Sequence, residues 1–170
     1  VHAGLFDVLH DAADQHRAIG VGDDVDVDFN GWFMCLIPRV VLEEVGLSLP
    51  VVQTRNLAVN EPVGYGCTWQ AEVPSVIAIV AGGYADGLLR SLSNAGVLWD
   101  GDTPCPLIGR VSMDLITVDI THLSEIPRSL DILGPHQSVD DLADIAGTIG
   151  YEMLTRMGAR LIRRYLEGAT

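Results

Sequence analysis

Between residues 48 and 133 no apolar run is long enough to make a buried helix, and each run is closed by a turn-forming residue. A helix with one buried face needs roughly ten or more residues of 3.6-residue periodicity, whereas a strand manages with about four to eight. The segment is therefore built of strands. Residues 48–59 have strand composition, and Glu61-Pro62 marks a turn after them. Residues 76–80 read Val-Ile-Ala-Ile-Val, a continuous and mostly β-branched run that predicts a buried strand. Val97-Leu98-Trp99 runs into Asp100-Gly101, a hairpin-turn pair. Residues 107–108, 115–120 and 129–133 are further strands, and 161–166 reads as a last one.

Two helices interrupt this pattern. Ser138 can cap the free amides of a first helical turn, and Asp141 stands at the reciprocal capping-box position. Leu142, Ile145 and Ala146 then form an apolar stripe, and Gly147 is the stop. Residues 151–157 suit a second short helix. Many short strands at short spacing with a few short helices predict a mainly β, barrel-like domain over residues 48–170. Residues 1–47 form an amino-terminal segment of no readable role. Within it 1–9 is strand-like, 11–17 is polar and compatible with a helix, 20–28 is an acidic glycine-containing loop, and 35–45 suits strand or helix.

Composition narrows the class of partner. The net charge of −13 argues against nucleic acid, because phosphate binding needs clustered cations. No apolar run approaches the roughly 18 residues of a membrane span. Cys35, Cys67 and Cys105 are odd in number and show no CxxC spacing. That pattern suits reduced thiols in a cytoplasmic protein and offers no metal framework. The chain begins at Val1, shows no signal-peptide pattern, and reads as a soluble fragment of something longer. All ten of its basic residues are arginine. Without lysine, chemistry that needs a lysine Schiff base cannot be completed by these residues alone.

Four segments place polar groups where apolar strands end: Val63-Gly64-Tyr65-Gly66-Cys67-Thr68-Trp69, Gly83-Tyr84-Ala85-Asp86-Gly87, Gly109-Arg110-Val111-Ser112-Met113-Asp114 and Gly147-Thr148-Ile149-Gly150-Tyr151-Glu152. Their glycines permit tight turns, and each tyrosine offers a rigid ring with a hydroxyl at its tip. Taken alone, these features lead no further than a β domain with tyrosines near turns. In this order and spacing, however, the four segments resemble the carboxy-terminal domain of the alanine racemase family, from about Leu49 to Tyr165.

The resemblance implies a homodimeric isomerase that interconverts L- and D-alanine, the D-form being a peptidoglycan precursor. An absent amino-terminal (β/α)8 barrel would hold pyridoxal 5'-phosphate on a lysine, and the β domain would close the site of the partner subunit. Tyr65 matches the catalytic tyrosine, which moves a proton at the substrate α-carbon opposite the barrel's lysine. A free tyrosine titrates near 10, so neighbouring cations would have to favour its phenolate. Met113 matches the residue whose backbone amide helps bind the substrate carboxylate, and Tyr84 a tyrosine at the site entrance. Arg90, Arg110 and Asp114 match polar residues along the approach corridor. Tyr151 matches a tyrosine that hydrogen-bonds the cofactor phosphate in its own subunit. The resemblance therefore implies that Tyr65, Tyr84, Met113 and Tyr151 cluster near one end of the domain, with Arg90 and Arg110 beside them.

The sequence departs from the family in several places. Val1-His2-Ala3-Gly4-Leu5 resembles the family's last barrel strand, with residues 1–10 as its end, but His2 stands where an arginine usually meets the pyridine nitrogen. Gly150 replaces a commoner asparagine, and Cys67 stands where glycine is common. Two alternatives remain at this level: a non-catalytic stand-alone dimerisation module, and a broad-specificity racemase or decarboxylase of the same fold type. Decarboxylases of that group usually carry a Cys-Asp pair, which is absent here.

Overall fold

The computed structural model describes residues 45–164. The readings made for residues 1–44, His2 included, and for Tyr165 and Leu166 lie outside the described residues. Among the described residues there are eight strands: β1 (Leu47–Leu57), β2 (Pro62–Val63), β3 (Trp69–Gln70), β4 (Ser75–Ala81), β5 (Val97–Asp100), β6 (Thr103–Ile108), β7 (Leu115–Asp119) and β8 (Ser129–Leu133). Two helices follow, α1 (Val139–Ala146) and α2 (Gly150–Arg156), and 3-10 turns lie at Tyr84–Asp86 and Arg90–Leu92. Six strands close into a barrel in the order β1-β4-β7-β6-β5-β8, with every neighbouring pair antiparallel, while β2 and β3 form a separate hairpin. Closure leaves the barrel without a free edge that could recruit a foreign strand.

The mainly β, barrel-like reading holds, and the structure gives the apolar run of β4 a sharper explanation. Ala78 and Val80 face the barrel interior with Leu98, Cys105, Leu107, Ile116, Val118, Leu130 and Ile132. Ile77 faces outward and is just as buried, under a second cluster of Leu57, Val63, Ala71 and Ile108. The small β2–β3 hairpin lies on the outer wall and covers β4 there, so both faces of that strand need apolar side chains. The hairpin is thereby anchored, and its connecting loop, residues 64–68, carries Tyr65.

Strand β6 is longer than the sequence suggests, because Pro104 and Pro106 disguise it. Leu107 donates its amide to the Gly96 carbonyl on the β5 side at 2.8 Å. By the alternation of an antiparallel strand, the amides that the two prolines lack would face β7. The β7 ladder engages only Leu107 and Ile108, so nothing is lost. The turn expected at Glu61-Pro62 falls earlier, at Val59-Asn60, where Asn60 adopts a left-handed φ of 67°. No strand forms over 161–164, which run as bend and coil past the end of α2.

Helix α1 is capped as its sequence implies. Ser138 Oγ accepts the Asp141 amide at 3.2 Å, and Asp141 Oδ2 accepts the Ser138 amide at 2.9 Å. Gly147 ends the helix at φ 72°, where its lack of a Cβ removes the steric penalty. The buried stripe is Val139, Leu142, Ala143 and Ala146, an i, i+3, i+4, i+7 pattern. Ile145 sits on the flank of that stripe and is exposed, correcting its expected place in the core.

Strand directions fix where the connections go. β4 and β6 both pair antiparallel with β7, so they end at the same end of the barrel, where β5 and β7 begin. Leu47 pairs with Leu133, which brings the start of β1 and the end of β8 to that end too. Helices α1 and α2 therefore plug it, with Leu142, Ala146 and Met153 joining Leu88 and Leu92 in the core. A fully buried leucine is worth about 2 kcal/mol relative to exposure, so this plug contributes substantially to stability.

Candidate active-site face

The plugged end carries the polar loops. The 64–68 loop is set by three left-handed residues: Gly64 and Gly66 at φ 74° and Cys67 at φ 48°. Left-handed φ at Cys67 accounts for the ease of glycine at this position, since a Cβ is strained there. Between the glycines, Tyr65 is pushed outward and is 75% exposed. A Cβ added at Gly66 would lie 3.1 Å from Nη1 of Arg110, which puts that guanidinium directly beside the Tyr65 loop.

The 109–114 loop, between β6 and β7, is held from two sides. On one side Asn94 Oδ1 accepts the Gly109 amide at 2.6 Å, and Ser93 Oγ accepts the Val111 amide at 3.0 Å. Asn94 is itself left-handed at φ 57°, a conformation its short side chain tolerates. On the other side the 82–87 loop docks backbone to backbone. The Gly82, Tyr84 and Ala85 amides donate to the carbonyls of Asp114, Ser112 and Met113 at 2.9, 3.0 and 3.0 Å. Gly83 lies so close that an added Cβ would sit 2.5 Å from the Ser112 carbonyl oxygen, with the Met113 carbonyl oxygen nearer still. The Met113 carbonyl is thus in use, whereas its N–H meets no protein acceptor among the described residues. Met113 and Tyr84 are both about half exposed, at 52% and 48%.

Arg90 and Arg110 line one open groove of about 480 Å³, with Thr68, Ser91, Ser93 and Asn94 completing it. Neither arginine has an ion-pair partner among the described residues. Asp114, by contrast, pairs with Arg160 at 2.7 Å. Asp114 and then Asp86 stabilise that guanidinium and raise its already high pKa.

Tyr151 belongs to a different element, the first turn of α2. It opens α2, whose far end reaches the 82–87 loop: an added Cβ at Gly87 would lie 2.6 Å from the Arg156 carbonyl oxygen. The Tyr151 hydroxyl is buried and has no hydrogen-bond partner among the described residues. Burial first, and the Asp140 carboxylate second, push the phenol above its ordinary pKa, so it keeps its proton and remains a donor. A buried donor without an acceptor is costly, and it marks a place for an incoming acceptor. A Cβ added at Gly150 would meet the Asp140 carboxylate, a side-chain end that can swing aside, and lie 3.2 Å from Val139 Cγ1, so a larger residue here needs only a local side-chain shift.

The structure therefore joins the segments around Tyr65, Tyr84 and Met113 directly, brings Arg90 and Arg110 to one groove, and carries Tyr151 in the first turn of α2. The family model for the alanine racemase carboxy-terminal domain matches residues 45–165. The chain belongs to that family. An alanine racemase of Cereibacter sphaeroides is 65% identical over 121 residues, 71% of this chain and 35% of that protein. One of Dinoroseobacter shibae is 56% identical over 124 residues, 73% of this chain and 36% of that protein. The chain thus spans about a third of the length of the curated relatives it matches. Among solved structures, alanine racemase from Bartonella henselae with covalently bound pyridoxal phosphate aligns at TM-score 0.69 and 35% identity, covering 71% of this chain and 34% of that one. The biosynthetic alanine racemase from Pseudomonas aeruginosa aligns at TM-score 0.68 and 40% identity, covering 72% and 35%.

Two features of this alanine racemase domain escaped the sequence reading. Asn94 and Ser93 brace the 109–111 backbone, and the only local signal was an asparagine two residues before a glycine. Arg160 bridges two loops from a stretch that reads as the approach to a strand, and nothing local announces it.

Proposed function

We propose that the full-length protein is a pyridoxal-phosphate-dependent alanine racemase acting as a homodimer, in which this domain completes the active site of the partner subunit. The observation that carries this reading is Tyr65. An aromatic side chain 75% exposed at the tip of a loop turned by the left-handed residues Gly64, Gly66 and Cys67 is placed to act outside its own domain. Family membership supports the activity, and the substrate follows from the relatives.

The cofactor fits the residues present. The orphaned, protonated hydroxyl of Tyr151 is a ready donor to a phosphate oxygen. When bound, pyridoxal phosphate serves as an electron sink that acidifies the substrate α-carbon. The lysine that carries it must come from the amino-terminal barrel, because these 170 residues include none, and they are inactive without that barrel.

The residues of this chain do the following. Tyr65 exchanges a proton at the α-carbon from one face, opposite the barrel's lysine. Racemisation needs a base on each face, one to remove the proton and one to return it. The free N–H of Met113 helps hold the substrate carboxylate. Tyr84 narrows the entrance, and Arg90 and Arg110 give the approach corridor a positive lining that draws in the zwitterion's carboxylate, with Asp114 shaping it. The free thiols of Cys67 and Cys105 suit a reducing cytoplasm. Among the described residues no helix is long and apolar enough to cross a membrane.

The test is Tyr65→Phe in the full-length enzyme. Removing the base from one face while keeping the ring should slow racemisation by about 10²–10⁴-fold, unequally in the two directions when followed by solvent deuterium incorporation. Wild-type rates in both directions would overturn the assignment.

A further inference from the structure

Arg160 touches both loops that meet at Met113. Its Nε lies 3.3 Å from Asp86 Oδ1 and its Nη2 lies 2.7 Å from Asp114 Oδ1. Asp86 is buried, and its Oδ2 accepts the Gly83 amide at 2.9 Å. Asp114 in turn accepts the Gly82 amide through its carbonyl. The guanidinium thus spans the same seam that the three backbone hydrogen bonds cross, between the 82–87 loop and the 109–114 loop. It arrives there because the chain past α2 is tethered: the Gly158 amide donates to the Asp86 carbonyl at 3.5 Å, and Gly87 leaves room for the Arg156 carbonyl. No other cation among the described residues pairs with either carboxylate.

We propose that Arg160 is a positioning residue, a two-handed clamp that fixes the Met113 amide relative to the Tyr84 ring. The clamp is read from contacts within this domain, while its effect on substrate rests on the racemase reading. Arginine is required because its planar fork serves two carboxylates with different nitrogens, whereas a lysine ammonium is a single point charge. Without the cation, two carboxylates are left on adjoining loops, and the seam relies on backbone hydrogen bonds alone. Loosening it moves a substrate-binding amide but leaves Tyr65 on its separately anchored hairpin.

The experiment uses the full-length holoenzyme. Arg160→Met should raise KM for alanine about three- to tenfold and change kcat by less than about twofold, the signature of lost substrate binding with the base undisturbed. Arg160→Lys should fall between Arg160→Met and wild type. Asp114→Asn breaks only one of the two contacts and should raise KM by less than Arg160→Met, and adding it to Arg160→Met should change little further, since that contact is already gone. Amide hydrogen exchange gives a readout independent of catalysis: residues 82–86 and 112–115 should exchange roughly tenfold faster in Arg160→Met, with β4 and β7 unchanged. An unchanged KM with unchanged loop exchange overturns the clamp. So does equal loss of protection throughout the barrel, in Arg160→Lys as in Arg160→Met, because Arg160 would then serve general stability. A wild-type enzyme that fails to racemise alanine sinks the racemase reading instead, and loop exchange still decides the clamp.

Discussion

Substituting Gly83 by alanine tests how tightly the Met113 loop is positioned. Gly83 is extended, with φ −161°, so the alanine backbone itself is unstrained and the effect is purely one of contact. The new methyl would lie 2.5 Å from the Ser112 carbonyl oxygen. Carbon and carbonyl oxygen approach comfortably to about 3.3 Å, so the two loops must part by at least roughly 0.8 Å, and by more where the Met113 carbonyl oxygen is nearer. The obstacle is backbone on both sides, held by three hydrogen bonds, and no rotamer change can relieve it. Overpacking of this kind costs typically about 1–3 kcal/mol. A displacement near 1 Å at a substrate-binding amide can cost about 10²-fold in rate. In the full-length enzyme Gly83→Ala should therefore lower both the melting temperature and kcat/KM for alanine, the latter by about 10- to 100-fold. Gly46→Ala is the matched control, since its methyl would meet only the Leu133 carbonyl oxygen at 3.9 Å. If Gly83→Ala behaves like Gly46→Ala in both assays, the loops are not locked together and the reasoning fails.

Two further outcomes follow from buried groups. Tyr151→Phe should speed cofactor dissociation by about 10- to 100-fold, the worth of a hydrogen bond to a charged group, while the cofactor-free protein should be no less stable because an unpartnered buried hydroxyl has been removed; unchanged cofactor retention, measured by dialysis and absorbance, would remove Tyr151 from the phosphate site. Burial, aided by Asp100, pushes the Cys105 thiol from 9.0 up to about 11. The unfolded chain releases this proton near 9 and the folded chain near 11, so stability is intact below the first value and falls as pH rises between them, by on the order of 2–3 kcal/mol. Denaturant midpoints at pH 8 and 11 should show that loss in wild type and a smaller one in Cys105→Ala; equal losses would place the alkaline sensitivity elsewhere.

The sequence by itself determined whatever depends on neighbours along the chain. The alternation of β-branched runs and turns specified strands, and Ser138, Asp141 and Gly147 specified where α1 begins and ends, because capping is settled within one helical turn. The four glycine-flanked segments specified the family, since their order survives without any knowledge of the fold, and the roles expected of Tyr65, Met113 and Tyr151 came with that resemblance and not from their chemistry alone.

Tertiary structure decided whatever depends on residues far apart in sequence. Pro104 and Pro106 hide β6 from local reading, and only the position of β7 makes them harmless. Ile145 fits the helical period of α1, yet the stripe that faces the barrel is Leu142, Ala143 and Ala146, so it is left in solvent. Ile77 and Val80 look alike in sequence, but one faces the barrel interior and the other lies beneath the β2–β3 hairpin. Gly83 and Arg160 are plain residues until barrel closure brings the β4–β5 and β6–β7 connections to one end. Their importance lies in a close approach and in an ion pair across 46 positions of sequence, from Asp114 to Arg160, and such a contact has no local signature.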